Sequence, residues 1–312
     1  MTYNKYDLTG YFLAYKLLPL LTLAVLSTSA LASEGDSQVT VPSKMEQDKT
    51  VIRIGGFYSN SNSTMDVTDP LLGNNFKLDF EEDLNLDESQ FLPFFEIQYH
   101  FNAKHRIYAD WKQLHRNAEV KKLTVPFQVT LDDQIYNVQA GANLETTLNI
   151  DIARIGYGYN FYQGNNYNFG LSLGVHTMFI KTAFNGDIGV CLKGDSVQQC
   201  SDANPRYVDE EVTAPLPDIG LYADYEFIPG FKLNAHAQYF YIELDDIKGS
   251  LVDIRAGLEA KISDNWHMTA AFNYYKVDVD FDSNVAQSDI KVANYNLYYS
   301  FIGPMLSVSY HF

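Results

Sequence analysis

The chain has 312 residues, with 22 Lys and Arg against 39 Asp and Glu (net charge −17) and a high aromatic content of 23 Tyr and 20 Phe. That acidic balance excludes nucleic acid as a partner, because a phosphate backbone is met with Lys and Arg. The length allows one or two domains, and a closed barrel of this size is normally one.

Lys16 precedes the apolar run "LLPLLTLAVLSTSALA", which ends in Ala30-Leu31-Ala32. This is the pattern of a secretory signal peptide over residues 1–32. The run is short for a spanning helix, which needs roughly 20 residues. Residues 33–50 are polar and patternless and read as a flexible lead-in. No later segment holds an apolar run of spanning length, so any membrane crossing beyond residue 50 falls to strands.

From Val51 to Phe312 the dominant signal is a period of two, the mark of strands with chemically different faces. Turn residues and acidic stretches divide this region into ten strands, near 51–66, 89–101, 104–121, 144–162, 166–184, 211–228, 231–244, 250–262, 266–281 and 288–312. Eight and twelve are the alternative counts. Short connections at "NAKH", "QGNN", "PG" and "SDN" alternate with mostly longer, acidic ones near 67–88, 122–143, 185–210 and 282–287. A meander with short turns at one end and long loops at the other has this rhythm. The final strand contains Gly303-Pro304, and its apolar positions shift there from odd (Tyr295, Leu297, Tyr299, Phe301) to even (Leu306, Val308, Tyr310, Phe312). A β-bulge is the expected cause, since it displaces the alternation by one residue.

Alternation alone does not say which face is enclosed. Aromatic residues beside the short turns form a belt of the membrane–water type, among them Phe101, Phe161, Phe169, Phe227, Trp266 and Phe312. A looser belt including Trp111, Phe179, Tyr239, Tyr295 and Tyr299 is expected higher up. The polar face mixes charges of both signs with glycine, as in Arg154-x-Gly156-x-Gly158 and Asp253-x-Arg255-x-Gly257-x-Glu259. That suits a crowded, hydrated interior. The expected fold is therefore all-β: a transmembrane, antiparallel, up-and-down barrel over 51–312, apolar side chains outward, every backbone group satisfied by closure. Glu96, Arg106, Asp110, Lys112, Arg154, Asp224, Arg255 and Glu259 are expected to meet in a lumenal charge network. Cys191 and Cys200, a local pair in an exported chain, are expected to form a disulfide.

The segments "GSLVDIRAGLEAKIS", "FNYYKVDVDF" and "GPMLSVSYHF" resemble bacterial outer-membrane β-barrel proteins, in particular a group of largely uncharacterised proteobacterial ones. The resemblance covers most of Val51–Phe312. It implies an integral location in the outer membrane, with outer-membrane lipids and lipopolysaccharide as neighbours. It also implies short periplasmic turns, and an assembly signal at Tyr310 and Phe312 read by the barrel-assembly machinery. A monomer without a cofactor or bound metal is expected.

Three classes of function remain open. A barrel of ten strands lies just above the size whose interior side chains fill, which favours a structural role in the envelope or a narrow, porin-like solute pore. The acidic stretch "DFEEDLNLDES" (79–89) would suit a surface adhesin or divalent-ion site, although its spacing is not that of an EF-hand loop. A lipid- or peptide-modifying enzyme is the least favoured reading. Of seven His, only His115 is placed at the long-loop rim, and its basic neighbours Lys112 and Arg116 assemble no nucleophile–base–orienter set.

Overall fold

The computed structural model describes residues 48–69, 74–131, 134–192, 199–244, 247–284 and 291–312. The expected signal peptide 1–32, and residues 33–47 of the lead-in, lie outside these. Ten strands form the wall: β1 (Thr50–Asp69), β3 (Ser89–His100), β4 (His105–Val120), β7 (Leu144–Gln163), β8 (Tyr167–Leu192), β10 (Asn204–Ile228), β11 (Phe231–Leu244), β12 (Ile247–Lys261), β13 (Trp266–Asn284) and β14 (Lys291–His311). Each pairs antiparallel with its sequence neighbours in the wall, and β14 pairs with β1 over Val51–Thr68, which closes the barrel. Four short strands, β2 (Asn74–Asp79), β5 (Phe127–Leu131), β6 (Gln134–Val138) and β9 (Gln199–Cys200), attach at the end of the wall away from Thr50 and Phe312.

The strand count and most boundaries match the sequence reading. The main difference is length. β8 and β10 remain paired out to Ile188 and Asn204, through residues whose acidic character suggests a loop.

Tight connections at 101–104, 164–166, 229–230 and 262–265 occupy one end. Two bulges lie beside them, at Asn160/Tyr162 and Glu226/Ile228. Each turns two consecutive apolar residues outward, Phe161 with Tyr162 and Phe227 with Ile228. The rings of this belt touch across strands and turns: Tyr162 and Tyr167 at 5.3 Å, Phe227 and Phe231 at 6.3 Å, Trp266 and Tyr310 at 5.0 Å between centroids.

In the half of the wall near these turns, apolar side chains face outward and polar ones inward. On β12, Ile254 and Leu258 are exposed while Asp253, Arg255 and Glu259 are buried. On β14, Leu306 is 63% exposed and Ser309 1%. Above this band the two faces exchange polarity. On β7, Leu144, Leu148 and Ile150 point in, whereas Glu145 is exposed and Asn149 and Asp151 lie partly open. On β4, Leu114 points in and His115, Asn117 and Glu119 point out. The exchange falls near Trp111 and Phe179, stacked on the outer wall at 6.5 Å. A wall that is apolar outside only in its lower part matches lipid there and water above.

This exchange corrects two expectations. No bulge occurs at Gly303-Pro304: Asn273, Phe272 and Ala271 pair in unbroken register with Gly303, Pro304 and Met305. Odd-numbered residues face inward along the described length of β14, and it is the chemistry of the inward face that changes, from Ser307 and Ser309 to Met305, Phe301 and Tyr299. Accordingly Tyr299 does not belong to an outer belt. It is 6% exposed, inside the barrel. The Tyr295 side chain lies outside the described residues.

The apolar upper lumen is filled by the chain itself. After β2 the segment 80–88 turns inward and buries Phe80, Leu84 and Leu86 against Phe57, Leu92, Leu114 and Phe301. Leu123, and Phe127 and Val138 of the β5–β6 hairpin, join the same core, the Phe127 ring lying 5.5 Å from that of Phe184 and 6.2 Å from that of Phe76. The acidic segment is thus a plug rather than a purely solvated loop. Two of its carboxylates hold the turn: Asp79 Oδ1 accepts from the Glu81 and Glu82 amides (3.0 and 2.9 Å), and Asp83 Oδ2 from the Asp79 amide (2.9 Å).

Candidate functional site

Beneath the apolar plug the lumen carries a layer of ionised groups, set by register. Glu96 of β3 lies opposite Asp110 of β4, and Asp110 opposite Arg154 of β7. Arg154 pairs with Asp110, and its Nη2 lies 3.8 Å from Glu96. Glu96 also accepts from Arg255 of β12 at 2.9 Å and from Arg53 of β1. Arg53 in turn donates to Glu259 at 2.9 Å, and Lys232 of β11 reaches the other Glu259 oxygen at 2.7 Å. Across the bore, Lys112 of β4 meets Asp253 of β12 at 3.3 Å and Asn273 of β13 at 3.4 Å. A buried charge is tolerable only with such partners.

Of the eight residues expected in the network, Glu96, Asp110, Lys112, Arg154, Arg255 and Glu259 take part in these ion pairs. Arg106 does not join them. Its guanidinium lies 3.6 Å from the Tyr222 ring centroid, with Nη1 3.5 Å from Gln98 Oε1. Asp224 lines the same cavity as Arg106 with no ion pair within 4 Å among the described residues. Sequence reasoning missed Arg53, Lys232, and the role of Asp253. Arg53 is a single charge in "VIRIGG" and carries little signal by itself, yet it falls on the inward parity of β1 with Val51 and Phe57.

The glycines between the charges have a steric cause. A Cβ on Gly170 would lie 2.0 Å from Tyr222 Cζ, and one on Gly156 2.4 Å from Tyr108 Cζ. The two tyrosine rings therefore lie flat over glycine, and each carries an arginine: Arg106 on Tyr222, and Arg154 on Tyr108 at 4.8 Å. The Tyr222 hydroxyl donates to Asn160 Oδ1 at 2.6 Å.

At the short-turn mouth a polar cavity of about 100 Å³ opens, lined by Arg53, Arg106, Asp224, Lys232, His236 and Arg255 among others. Asp48 closes one side of it. Burial pushes the Asp48 carboxyl up, but the hydrogen bond and charge of His311 outweigh this and hold it below its usual value. At the opposite end, Cys191 of β8 and Cys200 of β9 face each other in register and are joined by a disulfide. His115 and Asp151 form a hydrogen-bonded pair on the outer wall at 3.1 Å.

No curated protein matches the sequence. Among solved structures, the fold is similar to the outer membrane protease OmpT of Escherichia coli, with a TM-score of 0.52 at 11% identity over 84% of this chain and 96% of that one. The Pseudomonas putida toluene transporter TodX aligns at a TM-score of 0.33 and 11% identity (86% and 90% of the two chains). A FadL homologue of Pseudomonas aeruginosa aligns at 0.32 and 9% (84% and 90%). The OmpT likeness speaks for the fold alone, and the two weaker ones add no further argument. Residues 128–301, more than half of the chain, match the family described as "Protein of unknown function, DUF481". A closed ten-strand barrel, apolar outside only where lipid would cover it and matched over that span, identifies the chain as an integral outer-membrane β-barrel protein of the DUF481 family.

Proposed function

We propose that this protein is a structural barrel of the outer membrane whose lumen is closed at rest, with no catalytic step of its own. The observation that carries the reading is the double filling of the bore, by the 80–88 plug above and by wall-to-wall ion pairs below. A solute entering from the short-turn mouth reaches the polar cavity and then meets the Arg154–Asp110 layer. To pass, it would have to separate paired buried charges, each costly to leave alone. Among the described residues no hydroxyl or thiol is hydrogen-bonded to His115, so its pair with Asp151 is an acid–base group without a nucleophile. The partners in this reading are outer-membrane lipids and lipopolysaccharide around the apolar band. During biogenesis the barrel-assembly machinery joins them, reading Tyr310 and Phe312.

The water-accessible cavity favours a second reading, a narrow solute pore that opens when the plug moves. Conductance of the purified protein in planar bilayers separates the two. A flat baseline across the applied voltage range is expected of the closed barrel. Reproducible unitary steps from the intact chain would replace it with the pore.

A further inference from the structure

Three potential ligands from three strands converge at the short-turn mouth. Glu259 of β12, His267 of β13 and His311 of β14 each offer an atom within 4.8 Å of the others. Register brings them there: Glu259 lies opposite Thr269, and Ser309 opposite His267, so that His311 sits two residues further along the same inward face. The two imidazoles face each other with centroids 3.8 Å apart and planes at 38°.

Two details distinguish this from chance packing. His311 donates through Nδ1 to Asp48 Oδ2 at 2.5 Å, which leaves the Nε2 lone pair directed away, where it now takes the Ser309 hydroxyl at 3.0 Å. A carboxylate behind one ring nitrogen fixes the tautomer and raises the basicity of the other, the arrangement found behind metal-bound histidine. Beside it, His267 Nδ1 is buried with no hydrogen-bond partner. A buried acceptor without a partner is costly, and a metal ion would supply one.

We propose that His267, His311 and Glu259 bind one divalent transition ion of the zinc or nickel type, with Asp48 as the positioning residue behind His311. Two imidazoles and a carboxylate select such ions over Mg²⁺ or Ca²⁺, which prefer oxygen. Three protein ligands leave a fourth, water-accessible position on the cavity side. Metal–ligand bonds of roughly 2.0–2.2 Å require the donors to draw together, a change within the reach of side-chain torsions. Arg53 and Lys232 already hold the Glu259 oxygens, at 2.9 and 2.7 Å. A carboxylate oxygen keeps a second lone pair for a metal, but these two cations weaken the site. The affinity should therefore fall short of that of a structural zinc site. The ion would link β12, β13 and β14, and through Asp48 the residues leading into β1, so it lies beside the seam at which the barrel closes.

The test uses untagged protein refolded in detergent, stripped with chelator and titrated with ZnCl₂ in a calorimeter, with folding of every variant checked by heat-dependent gel mobility. One equivalent should bind to the wild type and to His115→Ala alike. His267→Ala, and separately His311→Gln, should each lose at least about tenfold in affinity, and Asp48→Asn about tenfold through His311. His267 is the less buried imidazole, so that variant carries the test even where His311→Gln does not fold. No saturable binding by folded wild type at millimolar zinc would overturn the proposal, as would unchanged binding in folded His267→Ala.

Discussion

Arg116 of β4 and Glu81 of the plug form a buried ion pair at the top of the lumen, both almost completely shielded from solvent. The same guanidinium donates to Ser63 of β1, while the second Glu81 oxygen accepts from the Ser63 amide at 2.8 Å. The pair therefore pins the inserted segment to two strands of the wall. Removing one partner leaves a buried charge alone, and Arg116→Ala should cost about 3–5 kcal/mol. Replacing both, as in Glu81→Leu with Arg116→Met, should cost much less. Urea unfolding of the refolded barrel compares the variants, and equal losses for the two would remove the ion pair as the anchor.

The exchange of polarity along the wall makes a depth-dependent prediction. Leu306 lies in the apolar band, so Leu306→Arg should destabilise the barrel in lipid vesicles by about 2–4 kcal/mol. Thr213, exposed and paired with Phe179 near the upper edge of the band, should tolerate Arg within about 1 kcal/mol. Similar costs at both positions would contradict the placement of that edge.

Tyr222 packs against the space that Gly170 leaves free. Gly170→Ala should therefore cost about 1–3 kcal/mol by overpacking, and Tyr222→Ala in the same chain should recover part of that loss. Additive losses in the double variant, measured by the same unfolding assay, would show that the two residues are not coupled.

Phe312 is 62% exposed and lies 4.6 Å from Tyr310, at the edge of the aromatic belt. Phe312→Ala removes one interfacial ring and no buried contact of the core. Refolded protein should lose no more than about 1 kcal/mol, whereas the amount reaching the outer membrane of cells should fall severalfold. Normal cellular levels would take the assembly role away from this residue.

How much of this was legible in the sequence follows from which signals are local. The ten wall strands were visible because alternation is a property of consecutive residues, and "SLVDIRAGLEAKIS" shows it without interruption. The inward charges of β12 followed from the same parity. The plug was not visible, because six carboxylates between Asp79 and Glu88 conceal Phe80, Leu84 and Leu86, whose burial depends on the barrel around them. The change at Gly303-Pro304 is visible in the sequence, but it reads there as a bulge, whereas the register is unbroken. Alternation reports that two faces differ and not which of them is wet, so an exchange of polarity along a straight strand looks the same as a one-residue slip. Arg53 and Lys232 carry little signal for a related reason: Glu96 and Glu259 face them across neighbouring strands only in a register that the sequence does not print, and the Arg53–Glu259 contact exists only because β14 closes on β1.

Lys112 and Asp253 stand on β4 and β12, five places apart around a ring of ten, which puts them at opposite ends of a diameter. The Arg154–Gln238 contact, at 2.6 Å, spans another chord from β7 to β11. Lateral pressure that flattened the cross-section into an ellipse would have to stretch one of these struts while compressing another. The barrel wall is thus braced like a spoked wheel, and it resists ovalisation at the depth of these struts.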